Sequence, residues 1–155
     1  MSVQPTDPIV IGCPECHKQN RIALHKVTEH PICGACKARL IRGLPFELTV
    51  DNIGAHMHTD MPLVIDFWAA WCGPCQQFSK VYEMVAAPFA ERARFGSVNT
   101  EQQPSLAQSY GIRSLPTIAV YYQGQELART QGALPAQHFH NWLDQALART
   151  PFKSV

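Results

Sequence analysis

The residues of this chain that could do chemistry are, first of all, its six cysteines. They form three C-x-x-C pairs with none left over, which read CPEC from Cys13, CGAC from Cys33 and CGPC from Cys72. In a reducing compartment, where structural disulfides are rare, such pairs are typical of metal sites or redox catalysts. Either all three pairs serve one purpose, or the last pair does chemistry that the first two do not.

The first two pairs have the spacing of a four-thiolate zinc site. Each C-x-x-C forms a tight turn that directs two sulfurs at one point, and sixteen residues separate the two pairs. The sequence therefore predicts one structural Zn²⁺ bound by Cys13, Cys16, Cys33 and Cys36, with no open coordination position and no hydrolytic chemistry. The alternatives are two disulfides, four free thiols or an iron–sulfur site, and His17 could compete as a ligand.

The third pair, in the stretch WCGPC, lies between a predicted buried strand and a predicted helix. A thiolate at a helix N-terminus is stabilised by free backbone N–H groups, so Cys72, in the exposed position, is the expected nucleophile. Cys75 is expected to be more buried, to have the higher pKa, and to attack the mixed disulfide that Cys72 forms with a substrate. Gly73 lets another chain approach, and Pro74 fixes φ early in the helix. No further cysteine remains for a second zinc site.

Two other residues are candidates for this redox site. Asp66 interrupts the apolar stretch PLVIDFWAA, where burial should raise its pKa and make it a proton acceptor for Cys75. The alternative is an aspartate at a strand end that meets solvent. Pro116 precedes the strand TIAVYY, and a cis Leu115–Pro116 bond would place a sharp turn against the two thiols; an ordinary trans proline is the alternative.

The amino-acid composition of the chain changes at RGLP, residues 42–45, which is the expected linker. Residues 1–44 are poor in large apolar side chains. They predict a small zinc ribbon that depends on its metal ion for stability, because it can bury little apolar surface. Residues 45–155 alternate apolar strands with helices and end in a hairpin and an amphipathic helix. This order predicts an α/β fold with three layers, α/β/α, and a central mixed sheet. The expected strands are FELTV, PLVIDFWAA, ARFGSVN, TIAVYY and ELARTQ, and the expected helices run from Asp51 to about His58, from Cys72 toward Ala90, over PSLAQSYG and over PAQHFHNWLDQALAR.

Composition excludes several classes of function. The chain has 155 residues, 46% of them hydrophobic and 16% charged, with a net charge of +1. These values are typical of a globular protein and give no field that would attract nucleic acid or an anionic membrane. The N-terminal residues lack the basic region of a signal peptide, and the apolar stretches are too short to span a bilayer. We therefore expect a cytoplasmic protein. The histidines other than His17, including His56 and His58, are expected at the surface.

Four blocks together resemble the thioredoxin family over residues 46–150: VIDFWAAWCGPC, YGIRSLPT, the QG hairpin and QGAL. With the four-cysteine segment in front, the chain is similar to the zinc-containing thioredoxin-2 group of bacteria. The resemblance implies a thioredoxin fold, reduction of disulfides in substrate proteins, and recycling by a thioredoxin reductase that uses NADPH. It implies no organic cofactor bound by this chain.

The resemblance also implies roles for individual residues. Cys72 would be the attacking thiolate, Cys75 the resolving thiol, Asp66 the buried acid and base, and Pro116 a cis-proline. Leu115 would pair its backbone with the substrate peptide. The residues that would line the substrate surface are Trp71, Gly73, Pro74, Leu115, Pro116, Gly132 and Ala133.

Three positions depart from the pattern of the family. Ser97 stands where a lysine usually lies beside the buried aspartate, so Asp66 should be still harder to ionise. Lys80 replaces a proline in the active-site helix, which predicts a less kinked helix with any bend nearer Pro88. Leu115 stands where a β-branched residue is more common. None of these changes removes a group that forms or breaks the disulfide.

Three functions follow from these features. The leading hypothesis is a dithiol reductant of protein disulfides. In the second, the ribbon binds a partner and the larger domain is a non-catalytic scaffold. In the third, oxidation of the ribbon releases zinc and regulates the redox domain.

Overall fold

The computed structural model describes residues 7–152 of the chain. The strands are β1 (Ile9–Gly12), β2 (Gln19–Ile22), β3 (Phe46–Glu47), β4 (Leu63–Trp68), β5 (Arg94–Asn99), β6 (Thr117–Tyr122) and β7 (Gln125–Gln131). The helices are α1 (Gly54–Met57), α2 (Gly73–Ala86), α3 (Pro104–Ser109) and α4 (Ala136–Leu147), with 3₁₀ turns at Leu24–Thr28 and Ala87–Phe89. Among these described helices, none combines the length and the apolar character needed to cross a membrane.

A five-stranded mixed sheet forms the centre of the larger part, in the order β3-β5-β4-β6-β7. Strands β3 and β4 both run parallel to β5, whereas β6 is antiparallel to β4 and to β7. Gln123 and Gly124 connect β6 to β7, and both have positive φ, as the tight hairpin predicted at QG requires. The predicted mixed sheet is confirmed.

Strand β4 is buried on both faces, and its side chains alternate between two cores. Val64 packs with residues of α2 and α4, while Ile65 and Phe67 pack with residues of α1 and α3. This alternation follows from the two-residue period of a strand, and helices therefore cover both faces of the sheet. Asp66 is two residues from Val64 and so lies on the face that α2 covers.

The N-terminal segment forms a small ribbon with its own core. Strands β1 and β2 pair antiparallel, with Ile9 opposite Ile22 and Gly12 opposite Gln19. The apolar cluster of the ribbon also includes Met61 and Phe152, which belong to the larger part of the chain. The ribbon is thus packed against the larger part.

The connection between the ribbon and β4 differs from the sequence prediction. Strand β3 is only two residues long, and Val50, expected to alternate with Phe46 in a strand, is 52% exposed. Asp51 does not cap α1, whose N-cap residue is Ile53. Instead the side chain of Asn52 accepts a hydrogen bond from the backbone N–H of Thr49 at 2.9 Å, so a local turn replaces the expected strand end and cap.

Helix α2 runs without interruption through Lys80. The α-helix ends at Ala86 and continues as the 3₁₀ turn that contains Pro88. The predicted helix toward Ala90 is therefore confirmed in extent, with the change of helical geometry at the proline.

We expect Gly96→Ala to destabilise the fold by about 1–3 kcal/mol, the usual range for overpacking. A Cβ at Gly96 would overlap Cδ1 of Leu48 and lie 2.8 Å from its Cγ, and Leu48 is fully buried. The matched control is Gly54→Ala, because a Cβ there meets nothing within 4 Å. Urea unfolding measures both variants; equal unfolding free energies for the two would contradict the packing.

Candidate active site and metal centre

The third cysteine pair forms a disulfide at the N-terminus of α2. Cys72 and Cys75 are bonded, with their Cα atoms 5.3 Å apart. Cys72 is the N-cap residue, and its sulfur accepts a hydrogen bond from the backbone N–H of Cys75 at 3.2 Å. One of the free N–H groups in the first turn of the helix therefore points at the sulfur that was predicted to attack.

The expected exposure of Cys72 is wrong. Cys72 is 4% exposed and Cys75 2%, so both sulfurs are buried. Leu115 and Trp68 pack against the cluster that the two cysteines form with Ala69. The side chain that does project outward is that of Trp71, which is 70% exposed.

Asp66 lies buried beneath the disulfide, as its apolar flanks predicted. It is 3% exposed, and among residues 7–152 no group forms a hydrogen bond with its Oδ1. Burial raises the pKa of this carboxyl from 3.8 to about 7. Ser97 is its partner in the parallel register with β5, so the neighbouring position carries no cation.

A cavity of about 240 Å³ is lined by both Asp66 and Cys75, the predicted resolving cysteine. Its lining includes Cys75, Ser79 and Ser97 together with Asp66. A cavity of this size has room for water, which could carry a proton between the carboxyl and the thiol. The carboxyl of Asp66 and the sulfur-bearing side chain of Cys75 therefore line one cavity.

Side chains that sequence reasoning missed hold the loop before the disulfide. The carboxylate of Glu101 accepts a hydrogen bond from the backbone N–H of Ala70 at 2.9 Å, and Gln76 Nε2 donates to the Ala70 carbonyl at 3.2 Å. The hydroxyl of Thr100 donates to the carbonyl of Trp68 at 3.0 Å. Glu101 is far from this loop in sequence, so only the pairing of β4 with β5 brings it there.

The structure shows where several of the residues expected to form a substrate surface lie. The Leu115–Pro116 bond is cis, as the resemblance implied. Gly132, with φ of +93°, donates its N–H to the Pro116 carbonyl at 2.9 Å, which places Gly132 and the exposed Ala133 beside the proline. A groove of about 320 Å³ runs between Trp71 and Leu115. Gly73 and Pro74, between the two cysteines, are exposed.

The first two cysteine pairs come together as a single cluster. The four sulfurs of Cys13, Cys16, Cys33 and Cys36 lie within 4.8 Å of one another, and none is in a disulfide. The sulfurs of Cys13 and Cys36 are 3.6 Å apart, and those of Cys16 and Cys33 3.7 Å. Tetrahedral zinc with bonds of about 2.3 Å requires sulfurs about 3.8 Å apart, so the donor set fits this metal.

Hydrogen bonds to sulfur prepare this cluster for a cation. The backbone N–H groups of Ala35 and Cys36 lie 3.3 and 3.5 Å from the sulfur of Cys33, and Asn20 Nδ2 lies 3.4 Å from it. The hydrogen bond from Cys36, followed by that from Asn20, lowers the pKa of the Cys33 thiol to about 6. At Cys36 the backbone hydrogen bond with Ala38 is outweighed by burial and by the three neighbouring thiols, which raise its pKa to about 11. A thiolate, which is the form that binds metal, is therefore favoured first at Cys33.

Of the two histidines at the boundary of the ribbon, His56 differs from the prediction and His17 does not. His17 is not part of the sulfur cluster, because its Nδ1 lies 3.0 Å from Nε2 of His56. His56 was expected at the surface but is 1% exposed, and burial lowers its pKa to about 3. The reason is non-local: a Cβ on Gly12 would lie 2.7 Å from the His56 ring, so β1 of the ribbon covers this side chain.

Comparisons with known proteins agree with this geometry. The sequence model of the family described as Thioredoxin matches residues 45–145. Thioredoxin C-3 of Corynebacterium nephridii is 35% identical over 142 residues, which cover 90% of this chain and 96% of that protein. The putative thioredoxin 2 of Streptomyces coelicolor is 41% identical over 100 residues, which cover 64% of this chain and 74% of that protein.

A solved structure gives the same result for the fold. The thioredoxin of Malassezia sympodialis (Mala s 13) superposes with a TM-score of 0.62 at 30% identity, covering 72% of this chain and 94% of that one. The predicted thioredoxin fold is confirmed. The 142-residue match to the Corynebacterium protein is too long to lie within residues 45–155, so it includes part of the ribbon.

We expect the stability of the oxidised protein to fall as pH rises from about 4 to about 7. The folded state binds the Asp66 proton up to a pKa of about 7, whereas the unfolded chain releases it near 3.8, so the free energy of unfolding decreases across this interval. Asp66→Asn has no proton to lose and should be the more stable protein at pH 8, by up to about 4 kcal/mol.

Urea unfolding at pH 5 and pH 8, followed by tryptophan fluorescence, measures this difference. Asp51→Asn is the control, because Asp51 is exposed. If Asp66→Asn lost as much stability as the parent between the two pH values, burial of a titrating carboxyl would be excluded as the cause.

Proposed function

The chain belongs to the thioredoxin family, and on that premise we propose that it reduces disulfide bonds in cytoplasmic proteins by dithiol–disulfide exchange. Its class is that of a thioredoxin-type disulfide oxidoreductase. The observation that best supports the proposal is the Cys72–Cys75 disulfide at the N-terminus of α2, with Asp66 buried behind it.

In the first step, the thiolate of Cys72 attacks one sulfur of a substrate disulfide. A bond forms between Cys72 and that sulfur, and the other substrate sulfur leaves as a thiolate that takes up a proton. The N–H of Cys75, 3.2 Å from the Cys72 sulfur in the oxidised protein, supports negative charge on Cys72 before the attack.

In the second step, Cys75 loses its proton and attacks the Cys72 sulfur. The Cys72–Cys75 bond forms, the first substrate sulfur leaves, and the substrate has gained two electrons and two protons in all. Asp66 accepts the proton of Cys75 across the cavity that both residues line. A pKa of about 7 suits this role, because the carboxyl can accept and return a proton at neutral pH.

The substrate binds along the surface around Trp71. Its chain lies in the groove toward Leu115 and pairs with the backbone before Pro116, while Gly132 and Ala133 border the other side. Backbone pairing reads little sequence, so the range of substrates is broad. A thioredoxin reductase that uses NADPH reduces the Cys72–Cys75 disulfide again, and no organic cofactor is bound by this chain.

The N-terminal segment, residues 1–44, is a zinc ribbon placed before the redox domain of residues 45–155, as in the zinc-containing thioredoxin-2 group. One Zn²⁺ bound by the four clustered cysteines stabilises it; structural zinc supplies about 10–16 kcal/mol of apparent free energy to such small segments. The ribbon sulfurs take no part in the exchange of electrons.

We expect Cys72→Ser to lower the reduction of insulin to the rate of dithiothreitol alone, because serine forms no mixed disulfide. Cys75→Ser lacks the resolving thiol and should accumulate covalent complexes with substrate, visible on a non-reducing gel. Gln77→Ser, on the exposed part of the same helix, is the matched control and should keep full activity. Normal turnover by Cys72→Ser would end the proposal.

The ribbon should carry about one zinc per chain in atomic absorption of the purified protein. Cys33→Ala removes a buried ligand sulfur and should lose the metal. Cys75→Ser, which removes a sulfur outside the cluster, should keep it. The assignment is wrong if the metal content follows Cys75 rather than Cys33.

A further inference from the structure

Arg94, the first residue of β5, is a buried cation at the boundary between the ribbon and the sheet. It is 5% exposed, and among residues 7–152 it forms no ion pair with a carboxylate. Its backbone is fixed by a hydrogen bond from its N–H to the Pro62 carbonyl at 2.8 Å. Burying a guanidinium is costly unless its donors and its charge are satisfied. Its Nε has no hydrogen-bond partner among the described residues, so the two Nη groups and the charge carry its interactions.

The donors of Arg94 reach the ribbon at two places. Nη2 donates to the Gly12 carbonyl at 2.7 Å, and Nη1 donates to the Leu40 carbonyl at 2.5 Å. Gly12 directly precedes Cys13 of the first pair. Leu40 follows the second pair and is held to it by the hydrogen bond from its N–H to the Pro31 carbonyl at 3.0 Å. One planar guanidinium group thus links the residue before the first C-x-x-C pair to a residue that follows the second pair.

The charge of Arg94 complements a metal-loaded ribbon. Four thiolates around Zn²⁺ carry a net charge of −2. Arg42, another cation close to this site, is paired with Glu15, whereas Arg94 packs over the ring of Phe46 with no carboxylate partner in the described part of the chain. A dianionic centre beside Gly12 would offset the burial of this cation.

We propose that Arg94 is a positioning residue that makes zinc retention by the ribbon and docking of the ribbon on the sheet a single event. By binding the Gly12 and Leu40 carbonyls at the same time, Arg94 keeps the two C-x-x-C turns of the ribbon at the separation that the metal needs. The metal in turn keeps those carbonyls in place as acceptors for Arg94. The inference rests on the zinc site of the proposed function.

The experiment measures the rate at which the intact protein transfers zinc to an excess of 4-(2-pyridylazo)resorcinol, which changes colour on binding the metal. Arg94→Met keeps much of the apolar volume and removes both donors. It should release zinc at least about tenfold faster than the parent, because mutating the outer-shell partners of a metal site usually weakens metal binding by about that factor. Arg94→Lys keeps the charge but cannot donate to both carbonyls at once. Its rate of zinc release should lie between that of the parent and that of Arg94→Met.

Two controls separate this role from general effects. Arg92→Met removes the same charge two residues away, where Arg92 pairs with Asp144 at the surface, and should release zinc at the parental rate. Gly96→Ala destabilises the same strand without touching the ribbon carbonyls, and should not accelerate release. If Gly96→Ala accelerated release as much as Arg94→Met, Arg94 would have only a general stabilising role and the inference would be overturned.

The remaining outcomes are also decisive. In one of them, the parent contains zinc and releases it at the same rate as Arg94→Met and Arg94→Lys do. That result overturns the inference and leaves the proposed function intact. If Arg94→Met does not fold, the rate of Arg94→Lys against that of Arg92→Met decides. A parent without zinc overturns both the zinc site and the inference, while insulin reduction by the same sample still tests the redox function separately.

Discussion

The hydrogen bond from the Cys75 N–H to the Cys72 sulfur, 3.2 Å long, is the contact on which the redox site depends. It exists because β4 ends at Trp68 and the chain turns at once into α2, so that Cys72 is placed at the positive end of the helix. The turn is held by the Glu101 side chain, which follows the neighbouring strand β5. The sheet therefore fixes the sulfur as firmly as the helix does.

The same local geometry occurs in all three cysteine pairs, and what the sulfurs face makes them different. The N–H of the second cysteine lies 3.5, 3.5 and 3.2 Å from the sulfur of the first in the pairs that begin at Cys13, Cys33 and Cys72. In the ribbon, two pairs face each other, so four sulfurs converge and none needs to form a disulfide. At α2, a single pair has no other sulfur to face and closes on itself. The motif supplies electron-rich sulfur, and the number of pairs that meet decides whether the sulfurs form a cluster that fits a metal ion or a disulfide.

The sequence predicted the features that depend on local pattern. The apolar run around Asp66 predicted both its burial and the direction of its pKa, and the order of strands and helices along the chain predicted the mixed sheet. Features that depend on contacts between distant segments were missed: His56 looked like a surface residue because nothing near it in sequence indicates that β1 covers it. Arg94 could have been noticed as a charge at the start of the apolar strand ARFGSV, but its two acceptors lie 82 and 54 residues away. Cys72 was expected to be exposed because the covering side chain, Leu115, comes from another loop.

The absence of a cation beside Asp66 connects the stability of the protein to its chemistry. Its neighbour on the adjacent strand β5 is Ser97, so burial alone sets the pKa of this carboxyl near 7. A lysine there would favour the ionised form, which would stabilise the folded protein above neutral pH but would also weaken Asp66 as a proton acceptor. The buried carboxyl is therefore a local source of instability in the ionised state, offset by the two apolar cores on either side of β4. Because the same desolvation produces both effects, a change that relieves the instability by neutralising Asp66 would also remove the group that we propose as the acceptor of the Cys75 proton.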